Sequence, residues 1–169
     1  MKKGFTLIEI LVYIAILSIV GGAILFGILK LVDFYNISRF DKEVLMNAHL
    51  ALNKISGEAK YASSIYLPTS TANSQISFET SLNPPTDEDE TYVDFYLDGG
   101  RLCLKRESED VQILTSEKVE VTSLNFGYLA SPTHPSSIKT TITVRYKTSK
   151  EKYQREKTLT SLSTLRGEY

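Results

Sequence analysis

The sequence predicts an α+β fold: a long N-terminal helix, its first half transmembrane, packed on a C-terminal antiparallel β-sheet. Three observations carry this expectation. Ile10 to Leu29 is a run of 20 residues without a charge. Apolar residues then recur at helical spacing as far as Ala62. Beyond Ser63, prolines and period-two alternation replace that spacing. At about 1.5 Å rise per residue, the uncharged run spans roughly 30 Å, the hydrocarbon thickness of a bilayer.

The N-terminus opens Met1-Lys2-Lys3-Gly4-Phe5-Thr6-Leu7-Ile8-Glu9. A secretory signal peptide would have a shorter apolar region ending at small residues. Ala23 and Gly27 mimic such a site, but the run is too long and continues into a helix. A signal anchor fits the length, and Lys2 and Lys3 would hold the N-terminus in the cytoplasm. A plain anchor gains nothing from Glu9, because a charged group costs on the order of 3 kcal/mol at the bilayer centre and less near an end. Glu9 therefore needs a partner.

Gly4-Phe5-Thr6-Leu7-Ile8-Glu9-Ile10-Leu11-Val12 resembles the class III signal of type IV prepilins and pseudopilins. The resemblance covers the first 25 residues or so: a basic leader, a glycine, a phenylalanine, a glutamate four residues on, and a long apolar stretch. It implies cleavage between Gly4 and Phe5 by a prepilin peptidase, N-methylation of Phe5, and assembly into a helical filament. It also implies a ladle-like layout. Major pilins usually have a proline where this chain has Phe26, and those of Gram-negative bacteria often have a disulfide. This chain has one cysteine, Cys103, so no internal disulfide is possible. Both departures favour a minor pilin or pseudopilin. The ending Thr158 to Arg166 is similar to the terminal strand of larger minor pseudopilins.

Chemistry explains why the acid would matter after processing. Cleavage after Gly4 turns the neutral Phe5 amide into an amine with a pKa near 8, largely protonated at neutral pH. The cut thus creates a cation for Glu9 and removes Lys2 and Lys3 together. Phe5 and Glu9 fall on one helix face, so the amine can pair within its own helix or with a neighbouring subunit.

From Phe34 the helix becomes amphipathic. Phe34, Ile37, Val44, Ala48, Leu52, Ile55, Ala59 and Ala62 form an alanine-rich stripe, with Lys42, Glu43, Asn47, Lys54 and Glu58 between them. Gly57 is a weak point near its end. The stretch from Thr69 to Thr91 reads mostly as an exposed connection with a strand at Gln75 to Glu79. Tyr92 to Leu97, Asp98-Gly99-Gly100 and Arg101 to Arg106 read as a hairpin. A change of phase between Val121 and Leu124 predicts a bulge near Ser123. Ile142, Val144 and Tyr146 alternate, and a last strand is expected from about Arg155 to Leu165. The expected organisation is residues 1–4 as leader and 5–29 as transmembrane or filament-core helix. Residues 30–62 continue that helix as its amphipathic half, and 63–169 form a sheet domain packed on 34–62.

No nucleophile motif, phosphate loop or dinucleotide fingerprint occurs, so no catalytic residue, metal or cofactor is expected. His49 and His134 have no metal or triad neighbours in sequence. Asp87-Glu88-Asp89-Glu90 lacks the spaced ligands and turn glycine of a calcium loop and reads as a solvated acidic loop. Charge is segregated: twelve acids and four bases from Glu79 to Glu120, eight bases and three acids from Ile138 to Tyr169. Lys139 to Lys157 carries seven bases with two tyrosines interleaved, yet the acidic middle disfavours nucleic acid as a partner.

The expected function is a structural, non-enzymatic subunit of a type IV pilus-like or type II secretion filament. Its partners would be other pilin or pseudopilin subunits, the prepilin peptidase and, before assembly, membrane lipid. It would cross the inner membrane once, with its globular domain extracytoplasmic. The alternatives are a signal-anchored binding domain that never polymerises and a DNA-uptake pseudopilin.

Overall fold

The computed structural model describes residues 4, 6–67, 74–130 and 136–165. The expected sites Lys2, Lys3 and Phe5 lie outside the described residues, as does His134. The chain divides into two compact units, residues 1–39 and 40–169. One helix, α1 (Leu7–Ala59), supplies all the regular structure described in the first unit and the opening element of the second.

In the first unit, α1 runs unbroken through Gly21, Gly22 and Phe26. It is long and apolar enough to cross a membrane, and its most apolar 18 residues have mean hydropathy 2.5 with none buried. The hydroxyl of Ser18 donates to the carbonyl oxygen of Ile14 at 2.8 Å. That back-bond satisfies a polar group that lipid could not. Lys30 Nζ lies 5.3 Å from the centre of the Phe26 ring, at the end of the apolar run.

The second unit is α+β. Eight strands follow the helix: β1 (Ala62–Tyr66), β2 (Ile76–Thr80), β3 (Thr91–Asp98), β4 (Arg101–Arg106), β5 (Gln112–Ile113), β6 (Val119–Leu129), β7 (Ser137–Tyr146) and β8 (Glu156–Thr164), with a 3-10 turn at Glu151–Tyr153. They form two antiparallel sheets, ordered β1-β2-β3-β4-β5 and β6-β7-β8. The sequence reading anticipates one sheet. The division falls after β5, where the two-residue strand ends the first ladder and the chain turns through Ser116 into β6.

Both sheets bury their apolar faces against one side of α1 in a single core. Val44, Ala48, Ala51, Leu52, Ile55 and Ala59 meet Ile76, Phe78, Val93, Phe95, Leu102 and Leu104 of the first sheet and Val121, Phe126, Ile138, Ile142 and Val144 of the second. Phe78 and Phe95 meet edge to face at 5.9 Å. Phe40, at the beginning of this unit, stacks on Tyr146 at 4.3 Å.

The hairpin and the bulge stand where the alternation puts them. Asp98 pairs with Arg101 around a two-residue turn, and Gly99 and Gly100 have φ of +54° and +74°. Both central residues of such a turn are left-handed, which favours glycine twice. A Cβ on Gly100 would also stand 2.9 Å from Glu120 Cγ. Between Val121 and Ser123 the register of β6 shifts, so Thr122 is the extra residue of the bulge.

Three expectations need correction. The helix ends at Ala59, not Ala62, and β1 begins at Ala62 because that residue pairs with Thr80 and is fully buried. The two residues after it, Ser63 and Ser64, carry little strand signal. Phe34 is not on the packed stripe and is 70% exposed. Asn47 and Glu58, read as part of the polar face, are buried. Glu58 tolerates this because Arg106 donates to both its oxygens, at 3.0 and 3.1 Å. Asn47 accepts from the Ser116 N–H at 2.8 Å and donates to the Glu43 carbonyl.

Candidate functional site

The candidate site is the start of α1. Thr6 is the N-cap. Its carbonyl oxygen accepts the first intrahelical bond, from the N–H of Ile10 at 3.3 Å. Its backbone N–H donates to Glu9 Oε2 at 2.8 Å, and its hydroxyl donates to the same oxygen at 2.9 Å. The N–H of Glu9 points back to Thr6 Oγ1 at 3.4 Å. This is a reciprocal capping box, in which two N–H groups at a helix start satisfy each other's side-chain acceptors. The tetrad Thr6-Leu7-Ile8-Glu9 spells it in sequence.

The box fixes the aim of the acid. Glu9 is held back toward the amino end of the helix by the N–H and hydroxyl of Thr6, instead of projecting sideways. The positive end of the helix dipole favours a carboxylate there as well. Gly4 is exposed and has nothing within 4 Å of a Cβ position. Glu9 also borders a shallow apolar cleft formed by Ile8, Val12, Tyr13 and Ile16.

The second unit holds two further charged clusters that the sequence reading missed. The first is the buried Arg106–Glu58 pair. Lys54 adds a second cation to Glu58 at 3.0 Å, and Arg106 also donates to the Leu82 carbonyl at 2.8 Å. It joins α1 to β4 and the loop after β2, which makes it an internal tie. The second lies on the outer face of β1–β3, where the Tyr66 and Tyr92 hydroxyls each donate to one oxygen of Glu79 at 2.9 Å. The bond to Glu79 pushes the Tyr92 phenol up to about 12 and raises that of Tyr66. The Tyr92 and then the Tyr66 hydroxyl hold the Glu79 carboxyl below the usual carboxylate range. Period-two spacing places Tyr66, Glu79 and Tyr92 on one face only once the β1–β2–β3 register is known.

The remaining sequence candidates are dispersed. Cys103 is buried and free, and burial raises its thiol above the ordinary range. Among the described residues no group of three His, Cys, Asp or Glu is arranged to hold a metal. Of the seven bases from Lys139 to Lys157, Arg145 is matched by Glu120 at 2.9 Å, and Arg155 lies 4.0 Å from Asp41.

Residues 1–25 match the prokaryotic N-terminal methylation motif. No curated protein and no solved structure matches the chain. Proteins with this motif are generally structural and non-enzymatic, and with the apolar helix it points to inner-membrane anchoring with the folded domain outside. Residues 1–25 thus give the chain the class III signal typical of type IV pilins and pseudopilins, at the head of a long helix followed by antiparallel sheets.

Proposed function

We propose that this chain is a minor pilin or pseudopilin, cut after Gly4 by a prepilin peptidase, methylated on Phe5 and assembled into a filament through Glu9. The observation that carries the reading is the aim of Glu9, tied by Thr6 toward the new chain start. Before the cut, the carboxylate has only the dipolar groups of Thr6 among the described residues. After it, the carboxylate can pair with the methylated ammonium group of Phe5, which precedes Thr6 in sequence, or with that of a neighbouring subunit. Losing one partner of a buried ion pair costs roughly 3–5 kcal/mol, so the unpaired acid disfavours a subunit seated in the wrong register. Loss of Lys2 and Lys3 with the leader releases the hold on the cytoplasmic face. In this reading the chain crosses the inner membrane once and the second unit meets other subunits outside.

Mass spectrometry of the mature N-terminus tests the processing. A chain that begins with N-methyl-Phe5 is expected; an intact Met1, or a cut beyond residue 20, supports a non-polymerising anchor instead. Two substitutions separate the cap from the charge. Glu9→Gln keeps an acceptor for the Thr6 N–H but loses the negative charge, whereas Glu9→Ala loses both. Both variants are expected to be processed and inserted, and both to be depleted from filaments. Normal incorporation of Glu9→Gln would leave Glu9 as a helix cap only.

A further inference from the structure

The charge that is segregated along the sequence is also segregated in space. At the start of the second unit, Phe40 of α1 stacks on Tyr146 at 4.3 Å and meets Tyr153 edge-on at 5.5 Å. These contacts hold the link between β7 and β8, residues 147–155, around the first turn of α1 in this unit. The Lys147 N–H donates to the Lys118 carbonyl at 2.9 Å and draws the approach to β6 to the same place. The link holds four bases, Lys147, Lys150, Lys152 and Arg155, against one acid, Glu151. Arg155 faces Asp41 at 4.0 Å. Lys118, Lys147 and Lys150 are exposed and enter no ion pair among the described residues. Two more acids at this end are engaged: Glu43 accepts from the Ser116 hydroxyl at 3.2 Å, and Glu117 lies 3.8 Å from Arg101.

Acids gather at the far end of the same unit. Arg106 meets Glu58 there, about 27 Å along α1 from Phe40 at the helical rise. The Glu107 N–H donates to the Tyr92 carbonyl, the Glu109 N–H to the Arg106 carbonyl, and Glu90 accepts from the Ser63 hydroxyl at 3.3 Å. The links before β3 and after β4 therefore lie at this end. Residues 87–90 and 107–110 hold seven acids and no base. The second unit is dipolar along α1, positive where the chain enters it from the apolar half and negative at the other end.

Phe40 follows Leu29, the last residue of the uncharged run, by eleven positions. At the helical rise this tether spans about 16 Å. Headgroups fill roughly 5–8 Å beyond the hydrocarbon core, and the field of charged lipid reaches about 8–10 Å further at physiological salt. The tether therefore keeps the positive end within that field. An anionic surface attracts this end and repels the other.

We propose that, before assembly, Lys118, Lys147 and Lys150 rest on the headgroups of anionic phospholipid at the outer face of the membrane, with residues 87–90 and 107–110 turned to water. The proposal rests on the membrane-crossing reading above and adds a second, electrostatic contact to it. Lipid fits better than nucleic acid, because the tether holds these lysines at a lipid surface while the acids of the same unit repel a free polyanion.

Fluorescence quenching of the full-length chain in vesicles tests this. A fluorophore on Ser149→Cys, between Lys147 and Lys150, reports the positive end, and one on Thr86→Cys, beside the acidic run, reports the negative end; Cys103 is buried. The quencher is a nitroxide on the lipid headgroup. In phosphatidylcholine vesicles with about one third phosphatidylglycerol, at about 0.05 M salt, the Ser149→Cys label is expected to be quenched at least twofold more than in phosphatidylcholine alone. Salt at about 0.5 M should erase that gain. Combining Lys118→Gln, Lys147→Gln and Lys150→Gln, all at exposed positions, should erase it too, and the Thr86→Cys label should show none. An alkaline wash separates this proposal from the reading beneath it. A chain stripped from the vesicles by the wash has no membrane span, and both fall. A chain that stays, with equal quenching in the two lipids, a gain that survives the lysine substitutions, or a gain shared by the Thr86→Cys label, overturns this proposal alone.

Discussion

The two halves of α1 share a backbone and oppose each other in surface. In the first unit the helix exposes Leu17, Ile19 and Phe34 at 70% or more, with no acid between Glu9 and Asp33. In the second it buries Ala48, Ala51, Ile55 and Ala59 completely and turns Lys42, Asn53 and Lys54 outward. An apolar surface of that extent is covered in a working protein by lipid or by other chains. The second half has brought its own cover in two sheets. The contrast teaches that helical continuity says nothing about what surrounds a helix. The composition of its faces does.

That comparison can be broken most forcefully at the buried ion pair. Arg106→Ala leaves Glu58, 3% exposed, with the half-exposed Lys54 as its remaining ion-pair partner, and should destabilise the second unit by about 3 kcal/mol in denaturant unfolding, the low end of the range for breaking a buried pair. Replacing both residues with leucine removes the buried charge and should recover most of the loss. A smaller effect sharpens the contrast along one helix. Ala51→Leu forces three extra carbons between α1 and the sheets and should cost about 1–3 kcal/mol. Ala23→Leu, on the exposed apolar half, should leave unfolding of the second unit unchanged. Equal effects at the two positions would mean that the halves do not differ as described.

The smallest effect lies on the outer face of the first sheet. Tyr92→Phe should change stability by no more than about 0.5 kcal/mol, because the cluster is exposed. It should, however, remove a late-titrating phenol from the tyrosinate absorbance curve. The signs follow from the shifts. Tyr92 is raised to about 12, so its contribution is complete below the ordinary phenol value near 10 and fades as pH rises through 12. Glu79 is lowered, so its contribution is present above the ordinary carboxylate value and fades as the solution is acidified through its depressed value.

Much of the fold was legible because its signals are local. The uncharged run, the Gly99-Gly100 turn and the phase change near Ser123 each depend on a few neighbouring residues. For the candidate site the sequence offers Gly4, Phe5 and Glu9, and Thr6 was within reach through the T-x-x-E spacing. Glu58 and Asn47 were misread because polarity normally marks the outer face of a helix. Only partners distant in sequence, Arg106 at 48 residues and Ser116 at 69, make their burial tolerable. β1 was hidden because Ser63 and Ser64 favour no element strongly.

By itself, the sequence determined the apolar span, the methylation motif at residues 1–25, the capping tetrad and the α+β class. These rest on composition and short-range spacing, which chain connectivity guarantees. Tertiary structure decided that the strands divide into two sheets, that Glu58 and Arg106 meet in the core, and that β8 is left with an open edge. Strand order and buried pairing join residues far apart along the chain, and packing alone brings them together.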